Sequence, residues 1–140
     1  MGYCTFDDVV HELTPTLRLN MERDYGEAFE ENIAGHIQKA HDFVNASLAR
    51  SYSVPLKQAA SVVISAECKI AAYFSAIAYS EKDEVVRDKY ETALIMLDNL
   101  VKADNPALVD AGLSSQELAA SGVLYGSDTT ILTSDAIEKW

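Results

Sequence analysis

Apolar side chains recur every three or four residues along one long stretch of the chain, from Glu27 to Tyr52. The repeating positions are Ile33, Ile37, Ala40, Val44 and Leu48. This spacing places them on one face of an amphipathic helix, whose other face is acidic and polar. Pro55 cannot continue a helix and biases the residue before it toward an extended conformation, so the helix is predicted to stop there. A helix with one apolar stripe is not stable alone, so other helices must cover the stripe.

Two later stretches have helical periodicity of their own. The first, from about Lys57 to Ser80, is apolar on most sides and rich in alanine and serine. Such a helix is either central to the domain or covered on its outer side by a partner, and its small residues permit close helix packing. The second, from Asp83 to Lys102, is apolar on one side and charged on the other, with Arg87 and Glu91 spaced as an i, i+4 pair.

The N-terminal residues predict two short helices. Thr5 can cap a helix from Phe6 to about Leu13, with acidic residues in its first turn. Thr14 can cap a second one that starts at Pro15 and runs to about Glu22. Together these patterns predict an all-α fold for residues 1–103, a small bundle of two short N-terminal helices and three longer ones.

Residues 104–140 are predicted to form an extended C-terminal tail. Leu113 to Ala120 can form one short helix. Further on, two β-favouring runs, Gly122 to Tyr125 and Thr129 to Thr133, flank a Gly-Ser-Asp turn and predict a possible β-hairpin. A lone hairpin is marginal in water, so the tail either packs on the helices or awaits a partner, and both alternatives stay open.

The charge pattern argues against binding to nucleic acid. The chain has 140 residues, of which 49% are hydrophobic, and a net charge of −11. Residues 1–50 carry 4 basic and 9 acidic side chains, residues 51–103 carry 6 and 7, and residues 104–140 carry 1 and 6. Tight binding to a phosphate backbone needs clustered lysine and arginine, and the sequence has no such cluster. No secretion signal and no membrane span are expected, because Glu67 and Lys69 interrupt the most apolar stretch.

No constellation of residues predicts catalysis or a metal site. His11-Glu12 is only half of the zinc-protease pattern, and His36 and His41 do not share a helix face. The default interpretation of the histidines is that they are solvated or interfacial, and adjacent acidic pairs are interpreted as helix-start charges. Cys4 and Cys68 are too few for a disulfide framework, and Cys68 is predicted to be a small buried hydrophobe. We therefore expect no enzyme, no cofactor and no metal.

The tyrosines of the helical region leave two roles open. Such residues are commonly half-buried core aromatics whose hydroxyls reach water. Tyr52 follows Arg50 at the end of the long helix, which also makes it a candidate interface residue. Arg50 itself is predicted to interact with the helix C-terminus.

The order of these features resembles the small phage head–tail connector proteins, in particular those of Mu-type phages and prophages. The resemblance rests on three parts of about residues 1–103: Arg50 and Tyr52 leading into Val54-Pro55-Leu56, the alanine-rich helix after them, and Lys89-Tyr90 followed by Ala93 on the last helix. The chain departs from the family pattern in three places. Ser51 separates Arg50 from Tyr52, Lys89 replaces an arginine, and the glycine after the last helix is missing.

The resemblance implies a structural role in the neck of a virion made in the host cytoplasm. Proteins of this kind form a ring, commonly of twelve subunits, between the portal protein and the next neck or tail-completion protein. DNA passes through without specific binding. The residues expected at subunit or partner interfaces are Arg50, Tyr52, Val54 and Pro55, and in the tail Val123, Leu124, Tyr125, Ile131, Leu132 and Trp140. The alternative is a soluble helical adaptor or regulatory protein that binds a partner through its tail.

Overall fold

Five α-helices make up most of the protein in the computed structural model, which describes residues 2–79 and 83–112. They are α1 (Phe6–Val10), α2 (Pro15–Tyr25), α3 (Phe29–Leu48), α4 (Ser61–Ala78) and α5 (Glu84–Ala103), with single 3₁₀ turns at Gly26–Ala28 and Pro106–Leu108. An isolated antiparallel bridge joins Ala59 and Asp110. The all-α prediction is confirmed for this part of the chain. The predicted helix at 113–120 and the hairpin lie outside the described residues.

The core forms where the predicted apolar stripe of α3 meets α4. All five residues of the stripe are buried, four of them with no exposed surface. Helix α4 packs against both α3 and α5, which contact each other much less, while α1 packs against α3 and α4 and α2 against α3. Four alanines of α4 are buried in these contacts, at positions Ala66, Ala71, Ala72 and Ala76. Of the two alternatives left open for this small-residue helix, the packing therefore supports the central position.

Several predicted helix ends differ from the observed ones. Helix α4 begins at Ser61 rather than at Lys57, because the backbone N–H groups of Lys57 and Gln58 bind the Asp110 carboxylate instead of a helical turn. Helix α3 spans Phe29–Leu48 and is followed by turns, so it is shorter than predicted at both ends. Helix α1 ends early, at Val10, and α2 continues to Tyr25.

The predicted caps are partly correct. Thr5 and Asp8 form a capping box at the start of α1. The Thr14 side chain does not cap α2, and its hydroxyl instead donates to Asp83 Oδ2 at 2.6 Å. Asp83 in turn caps α5 by accepting from two backbone N–H groups. After α5, Asp104 adopts the left-handed conformation (φ 49°) that a glycine commonly takes at such helix ends.

Helix α4 has the length and composition of a membrane span, although half of its 18 residues are buried inside the protein. Among the described residues it is the one helix with these properties. A core helix meets the same criteria, and α4 lies at the centre of the bundle. The expectation of no membrane contact therefore stays a prediction.

Candidate assembly surface

The loop that leaves α3, residues 49–60, is fastened to the end of α5 by Tyr52. This side chain is 8% exposed. Its hydroxyl donates to the Leu100 carbonyl and accepts from the Asn105 N–H at 3.1 Å. The Ser51 hydroxyl adds a bond of 2.9 Å to the Val101 carbonyl. The C-terminal ends of α3 and α5 therefore lie at the same end of the bundle, and the two helices run in the same direction.

The segment after α5, residues 105–112, is held against this loop by Asp110. The Asp110 carboxylate accepts from the N–H groups of Lys57 (2.8 Å), Gln58 (2.9 Å) and Gly112 (2.8 Å). Two backbone bonds run beside it, from the Ala60 N–H to the Val109 carbonyl and from the Ala111 N–H to the Gln58 carbonyl. Val109 has no exposed surface. This part of the predicted tail is thus packed on the helical bundle.

The hydrogen bonds determine the charge state of Asp110. Burial alone raises the pKa of this carboxyl, but the three N–H donors and the nearby Lys57 ammonium offset that effect and hold its pKa below the usual value. Asp110 is therefore ionised in neutral solution. A charged acceptor makes each of these hydrogen bonds stronger than one to a neutral group.

The structure brings together four of the residues predicted from the sequence. Arg50 and Pro55 are exposed, Val54 is partly buried, and Tyr52 is buried as the anchor of the loop. Arg50 Nε donates to the Ser47 carbonyl at 3.2 Å, which fits a cation at a helix C-terminus. The predicted tail residues Val123, Leu124, Tyr125, Ile131, Leu132 and Trp140 lie outside the described residues.

We name the combined surface of residues 49–60 and 105–112 the loop end. Leu108, which is 45% exposed, lies on it. Gly112 also lies there, packed so closely against Gln58 that an added Cβ would be 2.9 Å from the Gln58 Cβ. Residue 113 therefore follows directly from the loop end. Two stretches separated by about fifty positions in the sequence meet at this single surface.

A buried polar network centred on Glu67 was not predicted from the sequence. This residue has no exposed surface, although it lies in the most apolar helix. Its carboxylate accepts from the Cys4 backbone N–H at 2.9 Å and pairs with His41 Nδ1 at 3.1 Å. His36 is also buried. Of the two alternatives for the histidines, solvated or interfacial, burial contradicts the first for His36. His41 is bound to a buried acid.

The network continues from His41 to the loop end. The Asn45 amide pairs with His41 Nε2 at 3.2 Å, and the Tyr3 hydroxyl donates to Asn45 Oδ1 at 2.6 Å. The same hydroxyl accepts from the Leu56 N–H at 2.8 Å. One chain of hydrogen bonds thus joins the residues before α1 to α3, α4 and the loop after α3. The only sequence signal was an acid in an otherwise apolar helix.

Both cysteines are free and buried. A hydrogen bond to Cys68, together with burial, raises the pKa of the Cys4 thiol. A protonated, buried thiol is a poor nucleophile, since the thiolate is the reactive form. The prediction that Cys68 is a small buried hydrophobe is confirmed at 4% exposure.

The described residues contain no group of three or more His, Cys, Asp or Glu side chains that could hold a metal ion. The expectations that the protein is not an enzyme and needs no cofactor stay predictions. What the geometry does offer is a surface at one end of a helical bundle that internal hydrogen bonds hold in place.

Replacement of Tyr52 by phenylalanine should test how the loop end is held. The variant keeps the buried ring, but the Asn105 N–H loses its acceptor and the Leu100 carbonyl loses one of its two donors. We expect the free energy of unfolding to fall by about 1–2 kcal/mol, measured by urea denaturation. The matched control is Tyr90→Phe, because the Tyr90 hydroxyl has no hydrogen bond within the described ranges, and it should change little. Equal losses in both variants would show that Tyr52 does not anchor the loop.

Comparison with known proteins gives one match. Residues 3–121 match the sequence model of a family described as Bacteriophage Mu, Gp36. The match covers all five helices, the loop end and the first residues beyond it. Neither the curated proteins nor the solved structures contain a match to the chain.

Proposed function

Because the chain belongs to the bacteriophage Mu Gp36 family, we propose that it is a virion structural protein that acts as a head–tail connector. In this proposal it forms a ring between the portal protein and the next neck or tail-completion protein, and DNA passes through the ring. The proposed location is the neck of the virion. The family membership makes this a phage protein; the connector role and its partners are the proposal.

The observation that carries the proposal is the convergence at the loop end. Arg50, Val54 and Pro55 belong to the segment on which the resemblance to connector proteins rests, and they share a surface with residues 105–112. Tyr52 and Asp110 hold both segments rigidly. A pre-organised surface loses little conformational entropy on binding, which favours stable assembly with a large partner.

The charge of the chain supports passage of DNA rather than binding. The net charge is −11, with twice as many acidic as basic side chains. Binding to a phosphate backbone is driven mainly by lysine and arginine contacts, which a protein of this charge supplies poorly. A wall of negative potential repels phosphate and lets a duplex move along it. The expected result is no measurable affinity for duplex DNA at physiological salt.

The native mass of the purified protein, alone and mixed with its cognate portal protein, tests the proposal. We expect a ring of about twelve copies, formed either by the protein alone or only when portal protein is present. Native mass spectrometry distinguishes these species from free subunits. The mixture also needs a control in which an unrelated ring-forming protein replaces the portal, because acidic proteins can associate non-specifically.

A protein that stays a monomer or dimer and ignores the portal protein would overturn the connector proposal. In that case the alternative of a helical adaptor becomes the better interpretation. Such an adaptor would bind a partner protein through its C-terminal tail.

A further inference from the structure

Helix α3 contains a glycine that the folding of a single subunit does not require. Gly35 lies on the exposed side of this 20-residue helix, and a Cβ added there would meet nothing within 4 Å. Glycine in a helix interior is less favourable than alanine, because a glycine loses more conformational freedom when the chain folds. No turn, positive φ or close internal contact offsets this disadvantage within one subunit. A residue of this kind fits a position that something else approaches closely.

A depression of about 370 Å³ surrounds Gly35 and contains polar atoms without partners. His36 is 8% exposed, and its Nδ1 has no hydrogen-bond partner within the described residues. One turn earlier, the buried Asn32 Oδ1 also has no hydrogen-bond partner within the described residues. Buried polar atoms are normally paired, so the subunit leaves this region incompletely satisfied. Both the glycine and the unpaired atoms indicate a contact that one copy of the chain does not make.

Another surface of the same chain, on α5, has the complementary shape. Val85 and Ile95 are 51% and 62% exposed, and they are two of the five exposed large apolar residues in the described part of the chain. Between them lie the exposed residues Asp88 and Thr92, so the four positions form one ridge along α5. Helix α4 packs against both α3 and α5, and so the ridge and the Gly35 face belong to different flanks of the bundle.

The two faces match residue by residue when the helices run in the same direction. Along α3 the exposed residues are Gly35, Lys39, Asp42 and Ala46, and along α5 they are Val85, Asp88, Thr92 and Ile95. Each small residue of α3 then lies opposite an exposed apolar residue of α5. The two small residues are about 16 Å apart along α3, and the two apolar residues are about 15 Å apart along α5. On both helices the steps between these positions alternate between three and four residues, which keeps each set on one face.

The charges agree with this register. Lys39 and Asp88 lie opposite each other, and none of the ion pairs between described residues includes either of them. Other charged residues of α5 already have partners, such as Arg87 with Glu91 at 3.4 Å and Lys102 with Asp98 at 2.9 Å. Lys39 and Asp88 thus form one pair of opposite charges on the two faces that match in shape.

We propose that the α5 ridge of one subunit packs on the Gly35 face of α3 in the next copy of the same chain. This inference rests on the proposed function, because it is the contact that would build the ring. A contact between two different faces of identical chains closes into a ring when the rotation between neighbours fits. In a ring of twelve, neighbours differ by a rotation of about 30°, which keeps α3 and the partner's α5 nearly parallel. The parallel register is therefore the one that a ring permits.

The first test is a bulky residue on the Gly35 face. Gly35→Leu should abolish the ring, with association weakened at least tenfold, because the leucine fills the space that Val85 of the neighbour needs. The melting temperature of the free subunit should stay the same or rise, since the new side chain points into open space. The matched control is Ala34→Leu, an exposed residue about 100° around the same helix, which should assemble like the wild type.

The second test exchanges charges across the contact. Lys39→Glu and Asp88→Lys should each prevent assembly, and the double variant should restore it, all measured as native mass with portal protein present. Normal ring formation by Gly35→Leu, or no restoration by the double variant, would overturn the inference and leave the connector proposal intact. A wild-type protein that forms no ring at all would overturn both.

Discussion

Replacement of Glu67 by alanine is expected to lower the free energy of unfolding by about 3–5 kcal/mol, which is a large part of the stability of a small domain. Glu67 is completely buried in α4. Its removal leaves the Cys4 N–H and the His41 ring without their common acceptor, in a region that water does not reach. It also leaves a cavity where the side chain was. Urea denaturation followed by far-ultraviolet circular dichroism measures the loss.

Two controls separate the network from a general effect of the substitution. Glu67→Gln keeps the size and one acceptor oxygen but removes the charge, so its loss should be smaller, about 1–2 kcal/mol. Glu91→Ala removes an exposed acid from α5 and should change stability by less than about 0.5 kcal/mol. If Glu67→Ala costs no more than Glu91→Ala, the network does not hold the structure together.

The Glu67 network also explains why the N-terminal residues follow the surface between α3 and α4. Gly2 passes so close to the bundle that an added Cβ would lie 2.5 Å from Ile37 Cγ2 and 2.6 Å from Glu67 Oε2. The Cys4 N–H then binds Glu67 directly. Hydrogen exchange should therefore show the Cys4 amide protected in the wild type and much less protected in Glu67→Ala.

The amphipathic pattern was sufficient to predict the helices and their buried faces. The stripe from Ile33 to Leu48 could be predicted because the period of 3.6 residues can be seen in the local sequence. The structure buries all of its residues. The small residues of α4 left its central place as one of two alternatives, and the packing of α4 on α3 and α5 supports it. Cap residues were less reliable, since Thr14 has a competing partner in Asp83, which is far away in the sequence.

The features that prediction missed all depend on contacts between distant residues. Lys57 and Gln58 were predicted to begin a helix, but their N–H groups bind Asp110, more than fifty positions later. In the sequence, Glu67 only interrupts an apolar run. Its role becomes clear from its hydrogen bonds to Cys4 and His41 in the structure. Of the candidate interface residues, the structure places four in one loop. Tyr52 is the informative exception, because its burial makes it an anchor within the subunit.

Asp110 connects two of these distant segments, and its replacement is expected to have the second large effect on stability. Asp110→Ala is expected to lower the free energy of unfolding by about 3 kcal/mol, because three N–H groups lose a charged acceptor at once. Residues 105–112 should then separate from the loop after α3, while the five helices persist. Hydrogen exchange at Lys57, Gln58 and Gly112 reports the separation directly. Asp98→Ala, which removes an exposed acid of α5, is the control and should leave all three amides protected.

The same variant should change how stability depends on pH. Since the pKa of Asp110 is lower in the folded protein than in the unfolded chain, the unfolded chain binds the proton first as the pH falls. The stabilisation by Asp110 is complete above the unfolded pKa of about 4 and is lost as the pH falls through the lower folded pKa. Asp110→Ala should therefore lose less stability than the wild type between neutral and strongly acidic pH. Part of the acid sensitivity must remain, because hydrogen bonds and Lys89 also hold the pKa of Asp83 below its usual value despite its burial. An unchanged acid sensitivity would mean that Asp110 is not the charged acceptor at the loop end, and the rigidity of that surface would need another cause.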